Sequence, residues 1–311
     1  MPEFDEDAAR IVAVLSASGL PPIESQTPAQ IRAAYRNFPH PQGRDMAEIR
    51  AIDIPGPLGP IPARLYRPSV ETARPLLVWY HGGGMVIGDL ESADWVCREL
   101  AHLADTAVLS IDYRLGPEHK FPAAVEDAHA GAQFAIAHAA DFGADPGRVV
   151  VGGDSAGGTC AAVACILARE RGGAMPRAQL LVYPGTDRDL TRPSVTEFAN
   201  GPVLTKAAML WFRGHYHSDL AELQDYRANP ALAPHHRGLP PAFVLTAEID
   251  PIRDAGENYG NLLAHAGVMT TMKRYNGVFH GFFTMGPIMR KTTEAVADAA
   301  AWLRVQNEVE T

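Results

Sequence analysis

A doubly wound α/β sheet is the arrangement for which this 311-residue chain is patterned. From Leu76 onward, short stretches that are apolar throughout (Leu76–Tyr80, Ala107–Ile111, Val149–Val151, Leu180–Tyr183 and Phe243–Thr246) alternate with longer helix-like segments. Stretches of that kind suit strands buried on both faces, as in a parallel sheet covered by helices. The composition agrees: 47% hydrophobic and 20% charged residues leave material for a sizeable core and exclude a disordered or fibrous chain. The length suits one large or two modest domains.

Taken in order, residues 1–45 read as two short helices separated by Pro21-Pro22. Ile11, Val14 and Leu15 give the first an apolar stripe; Ile31, Ala34, Tyr35 and Phe38 give the second. Neither stripe has much nearby to pack on. From Glu48, Ile49 to Ile54 and Ile61 to Tyr66 alternate like paired antiparallel strands across the Pro/Gly-rich turn Pro55–Pro60. Helices are expected at Ala123–Ala139, Ala156–Arg171, Ala255–Ala266 and Thr292–Val305, with a last strand at Val268–Tyr275. Asp189–Asn229 holds no good strand, is rich in aromatics and leucine, and carries one expected helix, Thr205–Tyr216. Residues 1–45 and 187–230 are therefore expected to form a helical cap over an α/β catalytic domain made of 46–186 and 231–311.

The formal charge is −9, from 27 Lys plus Arg against 36 Asp plus Glu. That balance argues against nucleic acid and against anionic membrane surfaces, which favour basic patches. Three cysteines (Cys97, Cys160 and Cys165) cannot make a disulfide framework and fit a reducing compartment. The N-terminus is acidic where a secretory signal would be basic, and no apolar run approaches the roughly 20 residues that span a bilayer. A cytoplasmic location is expected.

The chemistry concentrates in three places. Gly153-Asp-Ser-Ala-Gly157 follows the Val149–Val151 strand and opens an Ala-rich helix. A Ser with Gly at −2 and +2 between strand and helix is the nucleophile-elbow pattern, whose turn is too tight for flanking side chains. The helix N-terminus behind Ser155 favours developing negative charge. Second, His81-Gly-Gly-Gly84 ends the strand Leu76–Tyr80. Consecutive glycines let backbone N–H groups turn toward a ligand, and a tetrahedral acyl-transfer intermediate needs such donors. Gly84 is followed by Met85-Val86, not by the Lys-Ser/Thr of a phosphate loop. The amide of Ala156, just after the serine, would supply another donor.

Third, a serine nucleophile needs a base and a carboxylate to orient it. His280, in a loop between the last strand and the C-terminal helix, is the best placed of 12 histidines. Asp250, just beyond the strand Phe243–Ala247, is the preferred acid, with Glu248 and Asp254 as alternatives. His129, His138 and His265 suit helix faces or caps. His215, His217, His235 and His236 lack Cys or Glu partners at zinc spacing, so no metal is expected. Cys160 and Cys165 fall inside the helix after Ser155 and suit packing.

On these residues the chain resembles the bacterial hormone-sensitive-lipase-like (family IV) carboxylesterases of the α/β-hydrolase fold. The resemblance spans most of residues 48–306. It rests on His81–Gly84, Asp112–His119 with Phe121-Pro122, Gly153–Gly157, Asp250-Pro251 with Arg253-Asp254, and His280–Phe282. It implies an α/β-hydrolase with a mostly parallel central sheet, a Ser155–Asp250–His280 triad, and oxyanion donors at Gly83, Gly84 and Ala156. It also implies hydrolysis of short- to medium-chain acyl esters without a cofactor. Gly116, Thr159, Ile252 and Met85 depart from the family's usual residues, and the last two bear on the substrate pocket. Met85, Leu204, Met209, Trp211, Phe212 and Ile252 are candidate pocket-lining residues. An amidase or deacetylase with the same triad, or a non-catalytic small-molecule receptor on this fold, are the alternative readings. The exposed last strand, Val268–Tyr275, could pair two copies into a homodimer.

Overall fold

The computed structural model describes residues 2–37, 41–71 and 74–308, so Phe38 of the second expected helix lies outside the described residues. Two helices open the chain, α1 (Glu6–Ala17) and α2 (Pro28–Asn37). Asp5 starts the first by accepting a hydrogen bond from the Ala8 N–H at 2.8 Å. An antiparallel hairpin follows, β1 (Glu48–Gly56) and β2 (Gly59–Arg67), paired along its length from Glu48–Arg67 to Gly56–Gly59.

The α/β alternation then begins: β3 (Arg74–Tyr80), α3 (Asp94–Ala104), β4 (Ala107–Ile111), α4 (Ala123–Ala137), β5 (Ala144–Asp154), α5 (Ala156–Glu170) and β6 (Ala178–Val182). The segment after β6 carries α6 (Pro193–Glu197) and α7 (Lys206–Tyr216). The chain closes with β7 (Ala242–Ile249), α8 (Arg253–His265), β8 (Thr270–Phe279) and α9 (Arg290–Asn307).

Among the described residues, eight strands form one sheet in the order β1-β2-β4-β3-β5-β6-β7-β8. The first two strands and the β2–β4 pairing are antiparallel; from β4 through β8 the neighbours run parallel. Alternate residues of a strand face opposite sides. In β3, Leu76, Val78 and Tyr80 join the core beneath α4 and α5, while Leu77 and Trp79 join the core beneath α3 and α9. Both sides are covered, which is why these strands read as unbroken apolar stretches.

The differences from expectation are informative. Helix α3 had no place in the sequence reading, yet Val96, Cys97, Leu100, Ala101 and Ala104 bury one side of it at helical spacing. The last strand runs Thr270–Phe279 instead of Val268–Tyr275, so it delivers the chain directly to His280. It is an outer strand of the sheet, and its Lys273 and Arg274 pair with Asp298 and Glu257 at 2.5 and 2.6 Å. Among the described residues, no helix is long and apolar enough to cross a membrane.

The sheet reverses its winding at β3, with β4 on one side and β5 on the other, and a crevice at such a switch point is where α/β sheets place ligands. Tyr80 is the register partner of Gly153 there, so the His81–Gly84 loop and Ser155 leave the sheet side by side. The close approach demands glycine: a Cβ on Gly157 would sit 1.8 Å from Tyr80 O, and one on Gly153 2.5 Å from the same oxygen. Backbone cannot retreat as a flexible side chain can. Gly157→Ala is expected to destabilise the chain by about 3 kcal/mol or more, or to prevent folding, read as urea midpoint or soluble yield. A wild-type midpoint would contradict this packing.

Candidate active site

Ser155 stands between β5 and α5 with φ +54° and ψ −115°, a conformation L residues avoid. Such strain costs on the order of 1–3 kcal/mol and persists only where the surroundings over-determine it. Here the Ser155 N–H donates to Val182 O at 2.9 Å, and its carbonyl accepts from Thr159 N–H at 3.1 Å as α5 begins. The hydroxyl is thereby held off the sheet at the helix N-terminus.

Two further strand ends converge on it. His280, at the end of β8, places Nε2 2.9 Å from Ser155 Oγ and Nδ1 2.7 Å from Asp250 Oδ2. Asp250 follows β7 and is fully buried; its other oxygen accepts the Ile252 N–H at 2.9 Å. The two rival carboxylates are engaged elsewhere. Glu248 accepts the Gly277 N–H at 2.7 Å, and Asp254 accepts the Ser194 N–H at 2.8 Å. Of the three, Asp250 is the one hydrogen-bonded to His280.

The expected oxyanion donors lie alongside. Gly83 and Gly84 have φ +111° and +61°, and Gly83 O accepts from the N–H groups of Val86 and Ile87, which folds the loop back on itself. Ala156 opens α5, where the first-turn N–H groups have no partner within the helix. The arrangement can therefore offer a serine hydroxyl, a base hydrogen-bonded to it, a buried carboxylate behind the base, and backbone donors beside them.

The candidate pocket residues divide. A Cβ on Gly84 would lie 2.4 Å from the Phe212 ring, so Phe212 stands directly over the glycine loop. Met85 is buried next to it, and Ile252 is buried two residues past Asp250. Trp211 turns to the N-terminal segment, where its Nε1 donates to Gln26 O at 3.1 Å. Leu204 and Met209 are half-buried before and on α7. Arg32 of α2 donates through Nε to Val86 O at 2.7 Å and pairs with Glu118. The two segments read as a cap thus touch both each other and the loop after β3.

Other histidines have local partners: His138 with Asp141, His217 with Glu222, His215 with Trp211 O, His236 with Pro230 O and His265 with Asn261 O. Among the described residues, no group of His, Cys, Asp and Glu is arranged to hold a metal ion. Cys160 and Cys165 are buried and their thiols are pushed well above the ordinary range by that burial, which suits packing rather than attack.

Two residues that sequence reasoning did not single out shape the site. Tyr183, at the end of β6, is buried with φ +33°, its ring centroid 4.8 Å from that of His280. Asp154, the variable position of the elbow pattern, accepts the Gly82 N–H at 3.0 Å and so ties the elbow to the glycine loop. A Cβ on Gly82 would lie 2.3 Å from Asp154 Oδ2, so the glycine also admits this carboxylate.

The family described as alpha/beta hydrolase fold matches residues 77–284. A carboxylic ester hydrolase of Mycobacterium tuberculosis, LipN, is 47% identical over 263 residues, covering 83% of this chain and 69% of the relative. The esterase LipI of the same organism is 40% identical over 286 residues, covering 88% and 87%. A solved ester hydrolase from the metagenome of Lake Arreo, in complex with a bipyridine phosphonate derivative, superposes with a TM-score of 0.94 at 39% identity. It covers 97% of this chain and 98% of its own. The hyperthermophilic esterase of Pyrobaculum calidifontis superposes with a TM-score of 0.89 at 39% identity, covering 98% and 99%.

Burial pushes the Asp154 carboxyl up to about 7, against the opposing pulls of His280 and the Gly82 N–H. The unfolded chain loses this proton near the ordinary 3.8, so between that value and about 7 the folded state holds a proton the unfolded state lacks. Stability from this group therefore falls as pH rises through that window, and the loss is complete above it. Asp154→Asn should remove the dependence. The stability difference between variant and wild type should move in the variant's favour by up to about 1.4 kcal/mol per pH unit between about pH 4 and 7. Urea unfolding of both proteins across that range checks this, and a pH-independent difference would contradict it.

Proposed function

This chain belongs to the α/β-hydrolase family and is a carboxylic ester hydrolase, and from that premise we propose a serine mechanism through a covalent acyl-enzyme. The observation that carries it is the pair of contacts at His280, 2.9 Å to Ser155 Oγ and 2.7 Å to Asp250. His280 takes the proton of Ser155 as the oxygen attacks the ester carbonyl. The amides of Gly83, Gly84 and Ala156 hold the oxyanion, and Asp250 keeps the imidazole oriented and stabilises its protonated form. His280 then protonates the leaving alcohol. Water, deprotonated by the same imidazole, attacks the acyl-enzyme and releases the acid.

The described parts of 1–45, together with 187–230, form the cap in this reading, and Phe212 and Met85 bound the substrate space beside the glycine loop. Short- to medium-chain acyl esters are the substrates proposed. Matched ester and amide substrates separate this activity from amide cleavage, which the same triad could perform.

Ser155→Ala should abolish ester turnover while leaving the circular dichroism spectrum and unfolding midpoint near wild type. A folded, active variant would end the serine mechanism. Asp250→Asn should lower kcat on the order of 10⁴-fold, by analogy with the equivalent change in a serine protease. A rate near wild type would transfer the orienting role to another carboxylate.

A further inference from the structure

We infer that Arg188, with Arg213 beside it, binds a carboxylate carried by the substrate, so that the preferred esters are short ones bearing an acid group near the scissile bond, such as hemiesters of dicarboxylic acids. The inference rests on Ser155 as the nucleophile and adds which esters reach it.

Arg188 lies in the segment leaving β6, three residues past Gly185. The Gly185 N–H faces Ser155 O at 3.4 Å, and its carbonyl accepts from Thr159 Oγ1 at 2.9 Å. A methyl group placed on Gly185 would be 3.6 Å from Arg188 Nη1, 3.4 Å from Thr159 Oγ1 and 3.9 Å from Ile252 Cδ1. The guanidinium thus converges with Thr159 and Ile252 on the space left by the bare Cα of Gly185, next to the nucleophile's own backbone. Ile252 in turn belongs to the turn whose N–H binds Asp250.

Arg188 Nε donates to Ala228 O at 2.8 Å, and its carbonyl accepts from Arg213 Nη2 at 3.0 Å. The adjacent Asp187 is taken by Arg192. Among the described residues, neither Arg188 nor Arg213 forms an ion pair, whereas Arg114 meets Asp127 and Arg227 meets Asp225 and Glu126. The chain carries 36 acidic residues against 27 basic ones, so two neighbouring arginines without a carboxylate do not reflect a shortage of acids.

Burial and the nearby Arg213 charge push Arg188 down to about 10, outweighing the opposing pulls of Tyr216 and Asp187, neither of which forms an ion pair with it. It remains protonated at neutral pH. Removing a charge from water is unfavourable unless an opposite charge meets it, and a guanidinium presents a planar fork that fits a carboxylate in two parallel hydrogen bonds. A substrate carboxylate would supply the missing partner. With Nε committed to Ala228 O, Nη1 is the atom turned toward Gly185.

The test compares two activated esters that differ only at the far end of the acyl chain, the 4-nitrophenyl hemiester of glutaric acid and 4-nitrophenyl pentanoate. Wild type, Arg188→Met and Arg188→Lys are assayed with both. Arg188→Met should lower the ratio of kcat/KM for hemiglutarate to that for pentanoate by about tenfold or more, mostly through KM of the acid ester. Arg188→Lys, which keeps the charge without the fork, should fall between. Added sodium chloride should raise the wild-type KM for hemiglutarate and leave that for pentanoate unmoved; this measurement stands even if the methionine variant does not fold. A ratio unchanged in Arg188→Met, or a wild-type KM for hemiglutarate indifferent to salt, would overturn the inference while leaving the esterase intact. Failure of the wild type to hydrolyse either ester would instead remove the nucleophile assignment on which it rests.

Discussion

The hydrogen-bonded line Asp250–His280–Ser155 is the constraint around which this molecule is organised. Its members are 30 and 125 residues apart along the chain, and each follows directly on, or within one residue of, the end of a strand. Parallel neighbours make this possible, because the carboxyl ends of β5, β7 and β8 all emerge on one side of the sheet. The ordering of strands brings the loop after β3 to the same place. The fold therefore positions four short pieces of backbone, and the side chains need only extend from them.

Holding them together has an energetic cost that the surroundings absorb. Ser155 keeps an unfavourable backbone conformation, Tyr183 another, and Asp154 is buried with its carboxyl pushed up to about 7. Each is locked by specific contacts. Val182 O holds the Ser155 N–H, Leu245 O accepts the N–H of Tyr183, and Gly82 donates to Asp154. Glycines at 82, 153 and 157 allow the approach, since a Cβ at any of them would overlap a neighbour. Strain and electrostatic discomfort concentrate beside Ser155, while the strand interiors nearby are apolar and well packed, as expected when a site is imposed on a stable scaffold.

Much of this was legible in the sequence because it is local. Strands buried on both faces betray themselves as unbroken apolar stretches, and the paired glycines around Ser155 announce a turn that admits no side chain. The choice among Glu248, Asp250 and Asp254 was open, because three carboxylates within seven residues share one neighbourhood in sequence. It depends on partners far away, Gly277 for one and Ser194 for another. Asp154 looked like filler between two motif residues, yet its role comes from a loop 72 residues earlier. Arg188 was equally silent: nothing in Asp187-Arg188-Asp189 hints that Asp187 pairs with Arg192 and that Asp189 accepts from Thr191. Helix α3 is the exception, since the spacing of Val96, Cys97, Leu100, Ala101 and Ala104 already carried the helical period.

The most direct test of the central line is covalent capture followed by peptide mapping. A serine-directed alkyl phosphonate should stop turnover at one equivalent per chain and leave its mass on the peptide containing Ser155. Labelling should slow sharply in His280→Ala, in which the base is gone but the serine remains. Modification of a different residue, or labelling of the histidine variant at the wild-type rate, would contradict the linkage of Ser155 to His280.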